Sequence, residues 1–493
     1  MHVEVLSVFV LSVFLGFFDV KSFLFVFLLI IFSRFTIFSQ NGSLRLSLDV
    51  EPEMLDAEFW ISMSDEPEKI RLGHEEIVGL NKKSMEIKRD EKKTILFNLA
   101  EFNSISESDL FQLTLSECFG RKWYRKSILD EPVCCTSEYW NSLFEKTGIN
   151  ALKDSEVLIE PKKAVCNKRT DMRIVPSDEE FSANGYDWYN DINQESSLLF
   201  NDPVLMLFCS KNEEWCFVCS EYDYGWVKSD SIALSSDNDF EKRLYFLTEE
   251  NGSFVTVTES LYIIPSGDLT ASVDGKKVYT ELRMGERFFC TEWKTVQVYF
   301  SEDRIPFCSY AVEIPFRKED GTLGTAYAAV PVSAVCSGFL PFTVKNILTL
   351  AFKCLGQAYS WGGKNGLRDC SSMVMEIYRC MGFQLPRNSS EQALFPAKSI
   401  KIDGASGYEQ RTVLLNGIMP GAVLKIPGHV MLYLGSSDER HYVIHSTSGY
   451  YESEEDIAAG KLMNVNSVCV TSLDMLMGNG KTLLESVSSV LFY

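Results

Sequence analysis

The sequence predicts an α+β protein: a C-terminal domain in which a helix bearing a cysteine packs on an antiparallel sheet, preceded by two small β-barrels and a mixed N-terminal domain. Three observations predict it. Apolar residues recur at helical spacing from Val344 to Leu355, and a second helix-like run follows Cys370. Near the C-terminus, His429-Val-Met-Leu-Tyr-Leu434 and Tyr442-Val-Ile-His445 read as neighbouring strands separated by polar turn residues. Upstream of both, short β-type runs broken by polar turns occupy residues 196–336.

At 493 residues the chain exceeds one hydrophobic core, because cores stop growing near about 250–300 residues. Hydrophobic residues at 46% and charged residues at 23% are ordinary for globular material, so most of the chain is expected to pack. Residues 1–40 read as a signal peptide or membrane anchor. The apolar run 23–32 behind Lys21 fits an export signal, while residues 5–38 taken whole are long enough to cross a bilayer. The remainder is then expected outside the cytoplasm, in the periplasm or cell envelope. Residues 41–94 are charged and weakly periodic, a linker or variable segment with a solvated helix at 81–93. Residues 95–190 form a mixed N-terminal domain whose loops are marked by Pro132, Pro161 and Pro176. The runs 203–209, 214–220 and 225–227 form a first barrel at 191–235. A second, at 236–336, uses the runs 254–258, 277–281, 296–300 and 327–330 with turns at Asp274-Gly275 and Asp320-Gly321. Residues 337–493 are the C-terminal domain.

In that domain Gly356-Gln-Ala-Tyr-Ser-Trp-Gly-Gly363 leads to Asp369-Cys370-Ser371-Ser372 and then to a helical run. Asp369 is a good N-cap, which sets Cys370 in the first turn, where free backbone N–H groups and the helix dipole favour a thiolate. A nucleophile there needs a base presented from another element. Of five histidines, His429, His441 and His445 fall within 17 residues. If Ser436 to Asp438 form a three-residue hairpin loop, His429 faces His445 across the pair. His429 then takes the thiol proton, and His445 fixes its tautomer. His441, at the loop edge, is expected to face solvent. A cysteine at a helix start followed by two paired strand histidines is the papain-like arrangement.

These residues resemble the NlpC/P60 superfamily of cell-wall cysteine peptidases. The motifs stand in order as Tyr359-Ser-Trp-Gly-Gly363, Asp369-Cys-Ser371, Leu385-Pro-Arg387, Gly428-His429 and His445, with Pro420-Gly421-Ala422 where the family usually has Pro-Gly-Asp. Upstream, Met172-Arg-Ile-Val-Pro176, Asp191-Ile-Asn-Gln-Glu-Ser196, Pro203-Val204, Trp215 and Gly225-Trp-Val227 are similar to the multidomain branch with an N-terminal stabilising domain and two SH3-like barrels. The resemblance implies a catalytic set of Cys370, His429 and His445, with Tyr359 beside the oxyanion. It implies Asp369 and Ser371 as holders of a ligand's terminal amine, Asp369 being equally suited to a pure capping role. Tyr224 is the candidate for the barrel's contact with that amine, and Tyr222 the alternative. The implied reaction cuts stem peptides between γ-D-Glu and the diamino acid, in fragments with a free N-terminal L-Ala.

A net charge of −21, from 47 basic and 68 acidic residues, argues against nucleic acid as a partner. The expected partners are peptidoglycan stem peptides or muropeptides, met by a monomer without cofactor or metal. Cys216 and Cys219 have CxxC spacing but lie in a strand run, where positions three apart point to opposite faces, so they are read as buried thiols. No disulfides are assigned among the 14 cysteines. Two other readings use the same residues: a non-catalytic wall-binding protein working through its barrels, which the intact Cys/His/His set opposes, and an acyltransferase sharing the thioester intermediate.

Overall fold

The computed structural model describes residues 44–47, 49–88, 94–115, 122–127, 129–244, 253–270, 278–297, 300 and 306–493. Residues 1–53 and 54–493 form separate units. The export or anchor segment at 1–40 lies outside the described residues, among which no helix is long and apolar enough to cross a membrane. The thirteen cysteines described carry free thiols.

Residues 54–88 are packed, which corrects their reading as a linker. Helix α1 (Ala57–Ser62) is capped by Asp56 and sinks Trp60 fully, against Tyr442 of the C-terminal domain. Helix α2 (His74–Ser84) also departs from the expected solvated helix at 81–93. It begins earlier, and Asn81 is buried, donating to the Gly382 carbonyl at 2.8 Å and accepting from the Gln384 N–H at 2.9 Å. One amide thus satisfies two backbone groups of the turn behind the cysteine helix. The charge pattern of the segment reports only its outer face.

The first barrel is a seven-stranded antiparallel sheet. Its strands are β1 (Lys162–Cys166), β2 (Thr170–Arg173), β3 (Gln194–Leu198), β4 (Pro203–Cys209), β5 (Trp215–Cys219), β6 (Tyr224–Lys228) and β7 (Ile232–Leu234), in the order β7-β1-β4-β5-β6-β2-β3. The sheet therefore draws two strands from ahead of residue 191, where the barrel was expected to begin. Its core, with Leu205, Leu207, Phe217 and Trp226, is continuous with Leu110, Trp123 and Phe144 of the N-terminal region. Burial, not strand pairing, joins the two.

The second β-region shares one core among a three-stranded sheet, a short ribbon and the long hairpin β8 (Ser309–Arg317) and β9 (Leu323–Pro331). The predicted strand 296–300 is corrected at its start, where Trp293–Val296 is a helical turn that buries Val296, while 298–299 lie outside the described residues. The turn pair Asp274-Gly275 lies outside the described residues.

The C-terminal domain packs α3 (Val344–Phe352) and α4 (Cys370–Arg379) on a six-stranded antiparallel sheet. In chain order this comprises β10 (Lys398–Lys401), then helix α5 (Tyr408–Leu415), β11 (Val423–Ile426), β12 (His429–Ser437), β13 (Arg440–Tyr450), β14 (Met463–Ser472) and β15 (Ser489–Phe492). The strand order is β10-β15-β11-β12-β13-β14. Helix α4 is held from below by charge. Glu376, fully buried, pairs at 2.6 Å with both Arg368 and Arg169, and Arg169 comes from the first barrel. Removing one partner of such a buried pair typically costs about 3–5 kcal/mol, so this clamp fixes the helix against the barrel.

Candidate active site

Cys370 is the first residue of α4 and Asp369 is its N-cap. The Asp369 carboxylate accepts from the Ser372 N–H at 2.8 Å, and the Ser372 hydroxyl reciprocates by accepting the Asp369 N–H at 2.9 Å. Asp369 also binds Arg387 through two guanidinium nitrogens, at 3.1 and 2.6 Å. Burial alone would push its carboxyl up, but Arg387 and the Ser372 N–H hold it below the ordinary carboxylate range. Arg387, named in the sequence only as part of a motif, therefore has a definite job. It neutralises the carboxylate next to Cys370, and it donates to Ser371 Oγ at 2.9 Å and to Ser196 Oγ of the barrel at 3.0 Å.

The histidines meet, by a route other than the expected one. The hairpin loop is the pair Asp438-Glu439, both at positive φ, so Ser437 faces Arg440 and Gly435 faces Tyr442. That register alone would set His429 and His445 on opposite faces. A bulge between Tyr433 and Gly435 shifts the pairing by one, giving Tyr433 opposite Val443 and Leu432 opposite Ile444. The two histidines then lie diagonally on one face, with His429 Nε2 and His445 Nδ1 2.8 Å apart. His445 Nε2 continues the chain to Thr471 Oγ1 at 3.1 Å. A His445 that accepts at Nδ1 and donates to Thr471 puts the His429 proton on Nε2 and leaves the His429 Nδ1 lone pair free for the thiol.

His441 corrects the solvent-facing expectation. With only two loop residues it lies inside the strand opposite Ser436, is 3% exposed, and bonds Tyr433 Oη through Nδ1 at 2.8 Å beneath α5.

Cys370, His429, His445, Tyr359, Asp369 and Ser371 line one cavity of about 620 Å³. Burial pushes the Cys370 thiol up to about 11, with Asp369 adding to it and the Val430 backbone and Arg387 opposing. Burial and then the Lys425 ammonium bring His429 down to about 4. Burial, and then His429, hold His445 well below the ordinary histidine value. Burial thus favours a neutral thiol and a neutral imidazole, against the preference of the helix start for a thiolate. A helix start offers about 1 kcal/mol, less than one tenfold step in ionisation, and burial outweighs it. Tyr359 is buried and its phenol is pushed well up, by burial and then by Asp369 and Cys370, so it stays a hydrogen-bond donor.

The opposite wall comes from the first barrel. Trp361 Nε1 donates to the Gln194 carbonyl at 3.1 Å, and Gln194 Nε2 donates to the Gly362 carbonyl at 3.2 Å. Gly362 and Gly363 have φ of 62° and 69°, and a Cβ on either would come within 3 Å of Gln194 or Ser197. The paired glycines of the motif are thus required by backbone geometry and by the approach of β3. Glu195 lines the cavity. Tyr189 donates to the Tyr359 carbonyl at 2.5 Å and stacks on its ring at 6.3 Å. Neither Glu195 nor Tyr189 was singled out from sequence, although Glu195 lies inside the quoted Asp191-Ile-Asn-Gln-Glu-Ser196. Tyr224, the sequence candidate, is not part of this wall. Its ring packs on Phe97 and Phe217 in the barrel core. Tyr222 is buried beside Leu199 and Asp202.

Comparison with known proteins agrees with this geometry. Residues 356–467, which hold Tyr359, Cys370, His429 and His445, match the NlpC/P60 family. The chain carries an NlpC/P60 domain. Residues 177–228 match an SH3 domain of the SH3b1 type, so an SH3 domain and the NlpC/P60 domain face each other across the cleft. Dipeptidyl-peptidase 6 of Lysinibacillus sphaericus is 30% identical over 125 residues, 25% of this chain and 36% of that protein's length. An NlpC/P60 endopeptidase from Photobacterium damselae subsp. piscicida has the same fold at a TM-score of 0.66 and 16% identity, over 92% of this chain and 99% of its own. An NlpC/P60 family protein from Bacillus cereus ATCC 10987 aligns over 67% of this chain and 99% of its own, at a TM-score of 0.46 and 17% identity.

Proposed function

We propose that the chain is an exported cysteine peptidase that hydrolyses peptidoglycan stem peptides, cutting between γ-D-Glu and the diamino acid of fragments with a free N-terminal L-Ala. The observation that carries the reading is one cavity lined by Cys370, His429 and His445, in which His429 is bonded to His445 and His445 to Thr471, and to which the SH3 domain contributes Glu195. In the reaction His429 Nδ1 takes the Cys370 proton as the sulfur attacks the γ-carbonyl carbon. The oxyanion is met by the Cys370 N–H and the Tyr359 hydroxyl. Collapse expels the diamino acid's amine, which takes the proton back from His429, and leaves a thioester that water hydrolyses by the same shuttle.

The amine-reading role is assigned to the cleft's acidic edge. Asp369 and Ser371 line the cavity from the helix side and Glu195 lines it from the barrel side, so carboxylates on both walls are available to a substrate ammonium. The test incubates the purified protein, beside Cys370→Ala, with L-Ala-γ-D-Glu-diaminopimelate and follows products by mass spectrometry. Release of L-Ala-D-Glu by the unaltered protein alone, blocked by N-acetylating the alanine, is the expected result. Binding without cleavage by both proteins would overturn the enzyme reading in favour of a wall-binding one.

A further inference from the structure

Cys209, the last residue of β4, and Cys216, in β5, are register partners across the first barrel's hairpin. Residues directly opposite each other on antiparallel strands point to the same face. One step nearer the turn, the Ser210 N–H donates to the Trp215 carbonyl at 2.8 Å. Hydrogen-bonded and non-hydrogen-bonded pairs alternate along such a ladder, so the cysteines occupy a non-hydrogen-bonded pair. There the Cα atoms lie about 4.5 Å apart and the side chains are closest. A disulfide accepts Cα separations of about 4.4–6.8 Å, so this backbone can close one as it stands. Other strand cysteines have different partners: Cys134 faces Tyr124, Cys336 faces Thr256 and Cys469 faces His445.

The side chains meet as the backbone predicts, because the two thiols share a hydrogen bond. That bond holds the Cys216 thiol below the ordinary cysteine value against its burial, and Ser229 Oγ, 3.3 Å from Cys216 Sγ, adds to it. Cys209 is exposed, whereas Cys216 is 2% exposed. A small oxidant therefore meets Cys209 first, and the sulfur able to displace it stands directly behind. The pair also lies apart from the cleft, since β6 and β2 separate β5 from β3, the strand that carries Glu195.

We propose that Cys209 and Cys216 are a redox modification site, a cross-strand dithiol that small-molecule disulfides oxidise to a reversible disulfide pinning β4 to β5. The oxidant is a disulfide of the glutathione class, which accepts two electrons. Cys209 sulfur bonds to one half of it as its S–S bond breaks, and the other half leaves as a thiol carrying the Cys209 proton. Cys216 sulfur then bonds to Cys209 sulfur, the mixed disulfide breaks, and the second half leaves as a thiol carrying the Cys216 proton. The assignment does not rest on the peptidase reading.

The test incubates the full chain with excess oxidised glutathione, quenches in acid, alkylates the remaining thiols and maps tryptic peptides without reduction. Trypsin cuts after Lys211, between the two cysteines, so a bridged pair appears as two joined peptides. The expected result is that joined species, returned to two alkylated thiols by dithiothreitol, and formed equally in Cys370→Ala. In Cys216→Ser the reaction is expected to stop at a glutathione adduct on Cys209, while Cys209→Ser leaves Cys216 free. Thermal melts verify that both serine variants fold. A glutathione adduct persisting on Cys209 of the unaltered chain, or either cysteine joined to a third one, would overturn the proposal. So would failure of the joined species to form in Cys370→Ala, since the exchange would then run through Cys370.

Discussion

The two walls of the cleft are built over different ranges of sequence. On the NlpC/P60 side the contacts that set the cysteine's cap and the histidine pair are short-range: Asp369 caps three residues ahead, Arg387 reaches back 18 residues to Asp369, and the histidine pair spans 16. On the SH3 side, Gln194 meets Gly362 across 168 residues and Tyr189 meets Tyr359 across 170. The difference teaches where specificity can change without touching chemistry. The near wall carries Cys370 and His429, the far wall is proposed to select the ligand, and the two are joined by a turn of two glycines and by buried ion pairs.

That division can be broken from either side. Replacing His445 with Ala removes the partner that holds the His429 proton on Nε2, and kcat is expected to fall about 100-fold with little change in KM, as measured on stem peptide. An equal effect on KM would mean that His445 belongs to binding. The pH profile comes next. With His429 at about 4, kcat/KM is expected to hold from neutral pH down to that value and then drop about tenfold per pH unit. A limb near the ordinary histidine value of 6.5 would show that the imidazole is not desolvated in the working enzyme.

Stability is expected to follow the same group. Below 6.5 the unfolded histidine takes up a proton that the folded site refuses until about 4, so the melting temperature should decline through that window as pH falls.

Gly362→Ala attacks the joint between the walls. A Cβ at φ 62° would sit 2.5 Å from the Gln194 side chain and 2.9 Å from its carbonyl oxygen. The expected cost is about 1–3 kcal/mol of stability, read by thermal melting, together with a raised KM. The smallest effect is expected for Tyr189→Phe, which removes one hydrogen bond to the Tyr359 carbonyl, worth about 1 kcal/mol, and is expected to raise KM a few-fold while leaving kcat in place. A change in kcat would place Tyr189 with the chemistry instead.

The sequence by itself determined the chemical identities. Asp369 as cap, Cys370 on the first turn and histidines on adjacent strands follow from capping preference and strand periodicity, which are local properties. Local rules could not supply the strand register. A two-residue loop and a bulge, each of which would separate His429 from His445 by itself, together bring them to one face, and no residue in the pattern announces the bulge. Nor could they supply the burial of residues 54–88, where one apolar stripe under a charged surface was enough to pack α1 and α2. Tertiary structure alone decided that Glu195 lines the cleft and Tyr189 backs Tyr359, while Tyr224 packs in the barrel core. It also decided that burial raises the pKa of the thiol, because ionisation depends on which charges and how little water surround the sulfur, and both are set by segments distant in the chain.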